Sequence, residues 1–366
     1  MTATKLPLTA GEHRRLDSLD ILRGLDLFIL VFLQPVILAF ASVHTPQWLV
    51  PVLHQLDHEV WEGFRCWDLV MPLFLFMTGA AMPFSLAKYR SGTKADGAVY
   101  RKIARRFLLL FLLGMVVQGN LLGFDPHHIY FYTNTLQAIA CGYAISAMLL
   151  LHTSMPVRIG ATVALLAIYS IPMALRGDYS PEGNFAYDVD RVILGRFRGD
   201  LSYTWIWSSL TFGVTVMLGT FAGHIIRQGN DNRTRTAAKL LAIGAALSVA
   251  GWLWGMHTPI IKRLWTGSMT LLSGGYCFML MSAFYYLIDV KGLHRGLDWL
   301  KIYGMNSIAA YIMGETINFR SIAMSLSYGL EPYLGDYYGA WLTFANYLIV
   351  FLILRFMYRR RIFLKI

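Results

Sequence analysis

The chain is predicted to be an all-α, polytopic membrane helix bundle with about ten transmembrane helices and both termini in the cytoplasm. Composition is the first reason: 56% of its 366 residues are hydrophobic, only 14% are charged and the mean hydropathy is +0.49. That is more apolar surface than a water-soluble core of this length can hide. The second reason is spacing. A spanning helix needs about 20 mostly apolar residues, and such runs recur at 24–43, 67–87, 104–122, 131–151, 157–175, 205–226, 237–254, 269–288, 302–317 and 341–357. Helices are the economical reading, because backbone groups in lipid must bond within their own segment. The third reason is charge: with the N-terminus assigned to the cytoplasm, inward loops hold 24 of the 32 Lys and Arg and outward loops hold eight. This is the bias of the positive-inside rule, and it turns His58 away from the cytoplasm.

Taken in order, the first run follows Asp17, Asp20, Arg23 and Asp26, and it ends near Ala39-Phe40-Ala41, a small-x-small pattern. The run is longer than a signal-peptide core and its flank is acidic, so it is expected to remain as a span. The second run opens on Asp68 and the third follows the basic cluster Arg101, Lys102, Arg105 and Arg106. The fourth carries Asn134 and Gln137 near its start, the ninth holds Asn306 and Glu315, and the last runs into a basic tail. Loops are short, no repeat or linker divides the chain, and residues 1–366 are expected to form a single domain. The net charge of +11 is mostly this topological signal, which argues against nucleic acid as a partner. Cys141 and Cys277 fall inside helices and only Cys66 lies near the outer surface, so no disulfide framework is implied.

The segment from Leu56 to Gly79 carries the sharpest chemical signal. It sets His58 among Asp57, Glu59, Glu62 and Asp68 at the mouth of an apolar run, where ionisable side chains are expensive and are functional candidates by default. Histidine takes up a proton near neutrality, so His58 could deprotonate an incoming amine or hydroxyl, or accept an acyl group on a ring nitrogen. The bland alternative is an interfacial histidine bonded to a loop carbonyl. His54, His127 and His128 share the outer side, but without HExxH or CxxC spacing no metal is expected. Trp61 and Trp67 read as aromatic-belt anchors or as a platform for a carbohydrate ring. Gly63 and Gly79 suit close backbone approach.

At the inner end, Arg23 and Asp26 are spaced to pair on one helical face. With the cluster before the third run they would suit phosphate groups of a nucleotide-like ligand, or equally anionic lipid headgroups and plain topology. Gln34, Gln118, Asn120, Asn134, Gln137, Asn306, Glu315 and Asn318 interrupt apolar spans. Interhelical hydrogen bonding is their default role, yet their number implies a wet or ligand-filled interior. A transporter and an enzyme acting across the bilayer would both need one.

Several motifs, in order, resemble the transmembrane acetyltransferases related to heparan-α-glucosaminide N-acetyltransferase, particularly their bacterial relatives. Arg15-Leu16-Asp17-Ser18-Leu19-Asp20-Ile21-Leu22-Arg23-Gly24 is similar to the R-x-x-S-L-D-x-x-R-G opening, and His58-x-x-Trp61-x-Gly63 followed by Asp68-Leu69-Val70-Met71-Pro72 to H-x-x-W-x-G then D-L-V-F-P. Thr135-Leu136-Gln137 sits at a V-L-Q turn, Lys262-Arg263-Leu264-Trp265-Thr266 with Ser273-Gly274-Gly275 resembles K-x-L-W-T and its Gly-Gly helix, and Tyr303-Gly304-Met305-Asn306-Ser307 resembles the late G-x-N segment.

The resemblance implies that acetyl-CoA is the co-substrate on the cytoplasmic side and that its acetyl group reaches the amine of a glucosamine-type sugar on the other, without a metal. His58, Asp68 and Gln34 would be catalytic, with His58 a transient acetyl carrier or a general base. Trp61, Glu62, Lys262, Trp265, Asn306 and Glu315 would bind the acceptor. Arg23, Arg105, Arg106, Asn134 and Gln137 would bind acetyl-CoA. Membrane lipids and a small amino sugar or oligosaccharide are the expected partners, a homodimer is left open, and a bacterial cytoplasmic membrane is the expected location. The chain departs from the pattern where Gln34 replaces an asparagine, Ala138 replaces an arginine, and Tyr203-Thr204-Trp205-Ile206-Trp207 replaces a Pro- and Gly-bearing motif. Transport or flipping of a sugar or lipid-linked sugar, and O-acylation of a polysaccharide, are the competing readings.

Overall fold

The apolar runs fold into helices in the computed structural model, which describes residues 16–86, 89, 97–199, 202–229 and 232–364. Arg15, which opens the first motif, and the basic residues of 1–14 and 90–96 lie outside the described residues. All regular structure among the described residues is helical. In chain order the elements used below are α1 (Asp17–Ala41), α2 (Val50–Gln55), α3 (Cys66–Ser85), α4 (Gly97–Val117), α5 (Thr135–His152), α6 (Met155–Arg176) and α7 (Phe185–Leu194). They continue with α8 (Ser209–Gln228), α9 (Arg233–Gly255), α10 (Gly267–Val290), α11 (Lys301–Met305), α12 (Ser307–Thr316), α13 (Arg320–Ser327) and α14 (Tyr338–Arg359).

Among the described residues, eight helical segments are long and apolar enough to cross a membrane: α1, α3, α5, α6, α8, α9, α10 and the stretch Arg320–Arg359 that contains α14. The chain is a multi-pass membrane protein by these segments. Two of the ten expected spans are not among the eight. The run at 104–122 lies in α4, whose first turns carry Arg101, Lys102, Arg105 and Arg106 and leave only Phe107–Val117 fully apolar. The run at 302–317 breaks at Asn306, whose φ of −118° and ψ of 39° leave the helical region between α11 and α12.

Small residues set the tightest contacts. A Cβ on Gly79 of α3 would overlap the carbonyl oxygen of Val216 in α8, and one on Gly219 of α8 would overlap that of Phe76 in α3. The two backbones therefore touch directly, the arrangement that helices in lipid use in place of a hydrophobic driving force. Leu73, Phe76, Met77, Val214, Leu218 and Phe278 fill the sides of this seam. α5 packs on both α8 and α3, α4 packs on α5, and α9 lies along α10. α1 meets α11 through Gly24 and Gly304, each facing the other helix's backbone.

Replacing Gly79 with Ala is expected to destabilise the fold by about 1–3 kcal/mol, because the methyl group meets backbone and not a side chain that can rotate away. Gly160, with nothing within 4 Å of an added Cβ, should tolerate Ala with no loss, since Ala favours helix by up to about 1 kcal/mol. Thermal unfolding of the detergent-solubilised variants checks the contrast.

Candidate active site

The site is built around a carboxylate at a helix start. α3 begins in a 3-10 turn, Cys66–Leu69, and places Asp68 where its Oδ2 accepts the backbone N–H of Arg65 at 3.0 Å and of Glu59 at 3.2 Å. Arg65 forks onto Glu59, Nε to Oε2 at 2.8 Å and Nη2 to Oε1 at 3.1 Å. This pairing holds Glu59 below the usual carboxylate range and closes the loop around Asp68. Gly63, at φ +131°, donates its N–H to the Ile260 carbonyl at 2.8 Å. That bond ties the His58 loop to the loop that carries Lys262.

Asp68 Oδ1 faces two nitrogens: His58 Nδ1 at 2.8 Å and Lys262 Nζ at 3.4 Å. A carboxylate held by this many N–H donors is an acceptor, so Nδ1 carries the imidazole proton and Nε2 keeps its lone pair. Lys262 Nζ lies 2.9 Å from Nδ1 and 3.4 Å from Nε2. A partner in the ring plane at Nδ1 would be far from Nε2, so the amine stands over the ring face. Lys262 is 7% exposed; burial pulls its amine down from 10.5 to about 8, with Asp68 opposing and Arg263 adding to the shift.

His58 and Lys262 open onto a cavity of about 680 Å³ whose walls include Trp67, Phe74, Gln118, Tyr130, Thr135, Trp205, Tyr311 and Glu315. A second cavity, of about 200 Å³, is lined by Arg23 and Arg106 and by Phe74, Thr135 and Tyr311 again. The two cavities thus meet at the same three side chains. Arg106 lies 4.4 Å above the Tyr143 ring and its buried Nε has no partner, which leaves a donor for an anionic ligand. On the outer wall Tyr203, Trp205 and Tyr132 stack in sequence. Asp190 of α7 holds that wall by accepting the N–H groups of Trp205 at 2.8 Å and Ile206 at 2.9 Å. Burial pushes Asp190 up to about 6 despite these bonds and the nearby Arg198.

Of the residues expected in the site, His58, Asp68 and Lys262 converge, Glu315 lines the larger cavity, and Arg23 and Arg106 line the smaller. The rest have other work. Gln34 donates to the Leu56 carbonyl at 3.2 Å, so it tethers the strand of chain before His58 and lies outside the cavity walls. Trp61 donates its indole N–H to the Tyr179 carbonyl at 2.9 Å and packs beside Tyr169, Ile261 and Leu264; the tryptophan facing the cavity is Trp67. Glu62 is exposed on the turn. Trp265 is buried at φ +54°, with its indole on Thr215 Oγ1 at 3.0 Å, and braces the Lys262 loop from behind. Asn306 secures the C-terminal segment through the Ile362 carbonyl and the Leu364 N–H.

Arg105 is exposed, because one residue along a helix turns the side chain by about 100° from that of Arg106. Arg23 reaches Asp20 at 3.8 Å, not the expected Asp26. Asn134 and Gln137 form a reciprocal cap on α5. Asn134 also donates to Gln118 Oε1 at 3.0 Å and Tyr311 Oη at 3.2 Å, so the pair positions lining residues without lining the cavities. Tyr311 carries no distinguishing signal in the sequence, being a tyrosine in an apolar run, while Thr135 and Phe74 fall within or beside the resembling motifs but have no role assigned from them. His127 and His128 gather around Asp125 instead of His58, and no group of three His, Cys, Asp or Glu among the described residues is arranged to hold a metal.

A family model described as a domain of unknown function (DUF5009) matches residues 15–154. Heparan-alpha-glucosaminide N-acetyltransferase of Homo sapiens is 23% identical over 369 residues, covering 82% of this chain and 53% of that protein. The Mus musculus protein of the same name is 23% identical over 375 residues, covering 84% of this chain and 54% of its own length. The chain is a distant relative of these N-acetyltransferases. It spans about half the length of the curated relatives it matches.

Lys262 should react with a small amine-directed reagent with a midpoint near pH 8, well below that of an exposed lysine. Removing the adjacent anion disfavours the ammonium, so Asp68→Asn is expected to move the midpoint lower still. Peptide mass mapping across a pH series checks both; an unchanged midpoint in Asp68→Asn would remove Asp68 as the counter-ion.

Proposed function

We propose that this protein is a membrane-embedded acetyltransferase that takes acetyl-CoA at the Arg23–Arg106 end and delivers the acetyl group to the amine of a glucosamine-type sugar at the His58 end. The observation that carries this reading is the junction of the two cavities at Phe74, Thr135 and Tyr311. It offers a path from a cationic pocket to a histidine with one free lone pair. The remote kinship to N-acetyltransferases supports the same chemistry. The concentration of Lys and Arg on one set of loops supports the Arg106 end as the cytoplasmic one and the His58 end as the far one, and the membrane proposed is a bacterial cytoplasmic membrane.

The residues divide the work. Arg23 and Arg106 present guanidinium groups to phosphate oxygens, and the smaller cavity, at about 200 Å³, suits the slender pantetheine arm. Asp68 holds His58 with its proton on Nδ1, so Nε2 can take a proton from the sugar ammonium or attack the thioester carbonyl. In either route Asp68 stabilises the positive charge that develops on the ring. Lys262 over the ring face opposes that charge when the amine is protonated. Glu315, Tyr311 and Gln118 supply polar groups for sugar hydroxyls, and Trp67 and Trp205 supply aromatic faces.

Purified protein given labelled acetyl-CoA and glucosamine is expected to form N-acetylglucosamine, and His58→Ala to abolish it. Full activity of that variant would remove His58 from the reaction. Arg106→Ala should raise the KM for acetyl-CoA by roughly tenfold or more, the equivalent of a charge-assisted bond of about 1.5–3 kcal/mol, with kcat little changed. Accumulation of glucosamine in proteoliposomes lacking acetyl-CoA would favour transport instead.

A further inference from the structure

The proposed reaction consumes an amine, and the chain holds an amine of its own beside His58. We propose that Lys262 Nζ is an internal acetyl acceptor, a self-acetylation site that fills when the outer cavity holds no sugar amine. The inference rests on the acetyl-transfer reading above.

Three features of the site support it. Lys262 is almost fully buried, yet its side chain lines the same cavity as His58, so an acetyl group arriving there meets Nζ before it meets solvent. The amine is also on the correct side for attack. An acyl group on Nε2 is conjugated with the imidazole and lies in the ring plane, and a nucleophile approaches its carbonyl perpendicular to that plane. Nζ stands over the ring, 3.4 Å from Nε2; the acyl carbon would sit one bond length beyond Nε2, so a shift of the terminal Lys262 carbons along the ring face brings Nζ to the roughly 3–3.5 Å of a near-attack arrangement. A thioester carbonyl brought to Nε2 is open to the same approach. Finally, the amine is held back by charge and not by distance: Asp68 from α3 favours the ammonium, while burial and Arg263 on the same loop oppose it, and His58 is the remaining titratable group in contact.

The step balances without another reagent. The Nζ lone pair forms the new N–C bond and the C–S bond of acetyl-CoA, or the C–Nε2 bond of an acetyl-imidazole, breaks. The bonding pair and the proton lost from Nζ both go to the departing sulfur or ring nitrogen. The products are acetyl-lysine and CoA, or acetyl-lysine and free His58.

The full-length protein is incubated with acetyl-CoA and no sugar, treated with hydroxylamine to strip acetyl-imidazole, and mapped by peptide mass spectrometry. N-acetylglucosamine formation is measured in a parallel sample. Lys262 is expected to gain one acetyl group, faster than the exposed Lys291, with less gained when glucosamine is added. The amine goes from about one-tenth neutral at pH 7 to about nine-tenths at pH 9, so the rate should rise roughly tenfold between them. Lys262→Arg should lose the modification at that peptide. Sugar acetylation with Lys262 unmodified, or modified no faster than Lys291, overturns this inference and leaves the reaction standing. Absence of both products overturns the inference and the reaction together. Acetyl-Lys262 without sugar product supports the inference and overturns only the choice of sugar as acceptor.

Discussion

Everything at the His58 end of this molecule depends on the carboxylate of Asp68. It is 1% exposed at the start of a membrane-spanning helix, where an unpaired charge would be far too costly to keep. Two backbone N–H groups on Oδ2 and two side-chain nitrogens around Oδ1 make it tolerable. The dependence runs both ways. The same four donors are ordered by the carboxylate: the loop takes its shape from Oδ2, and the imidazole takes its tautomer from Oδ1. A protonated or amide side chain would satisfy only part of this set, so the shape of the loop and the chemistry of the ring are joined through one group.

The space in front of that group follows from how the helices pack. α3 and α8 meet through glycines with almost no separation, and this draws the bundle tight on one side. On the other side, large aromatic residues and a polar network keep helices apart. Asn134 spends its amide on Gln118 and Tyr311, and Gln137 spends its own on the turn that leads into α5. Buried amides must find partners, and here they include Gln118 on the wall of the larger cavity and Tyr311 at the junction of the two. Asp190, buried and holding the Trp205 turn, does the same for the aromatic wall.

His58 and Lys262 share one oxygen of Asp68 and respond to each other's charge. A positive charge on one disfavours a positive charge on the other, and the carboxylate between them favours both. A cation over the imidazole face opposes a positive charge on the ring, and a carboxylate at Nδ1 favours one as it develops during reaction. The balance suits a group that must begin neutral and end cationic, whether it receives a proton or an acetyl group.

Much of the architecture was already legible in the amino-acid sequence. Hydropathy runs marked the spanning helices, because lipid enforces length and apolarity on each span separately, and the acidic, histidine-bearing edge of α3 stood out because charge is rare there. The sequence could not say which way a side chain points or what lies across from it. Arg105 and Arg106 are indistinguishable in the chain, but helical rotation exposes one and turns the other into a cavity. Trp265, Asn306 and Gln137 look like recognition residues, but each is consumed by an internal bond. Lys262 is 204 residues from His58, and only the docking of two loops through Gly63 and Ile260 brings its amine over the ring. By itself, then, the sequence determined the solvent and the class and singled out the histidine as a candidate; the tertiary structure decided its neighbours, because hydrogen bonding and packing choose among polar groups that composition alone treats as equal.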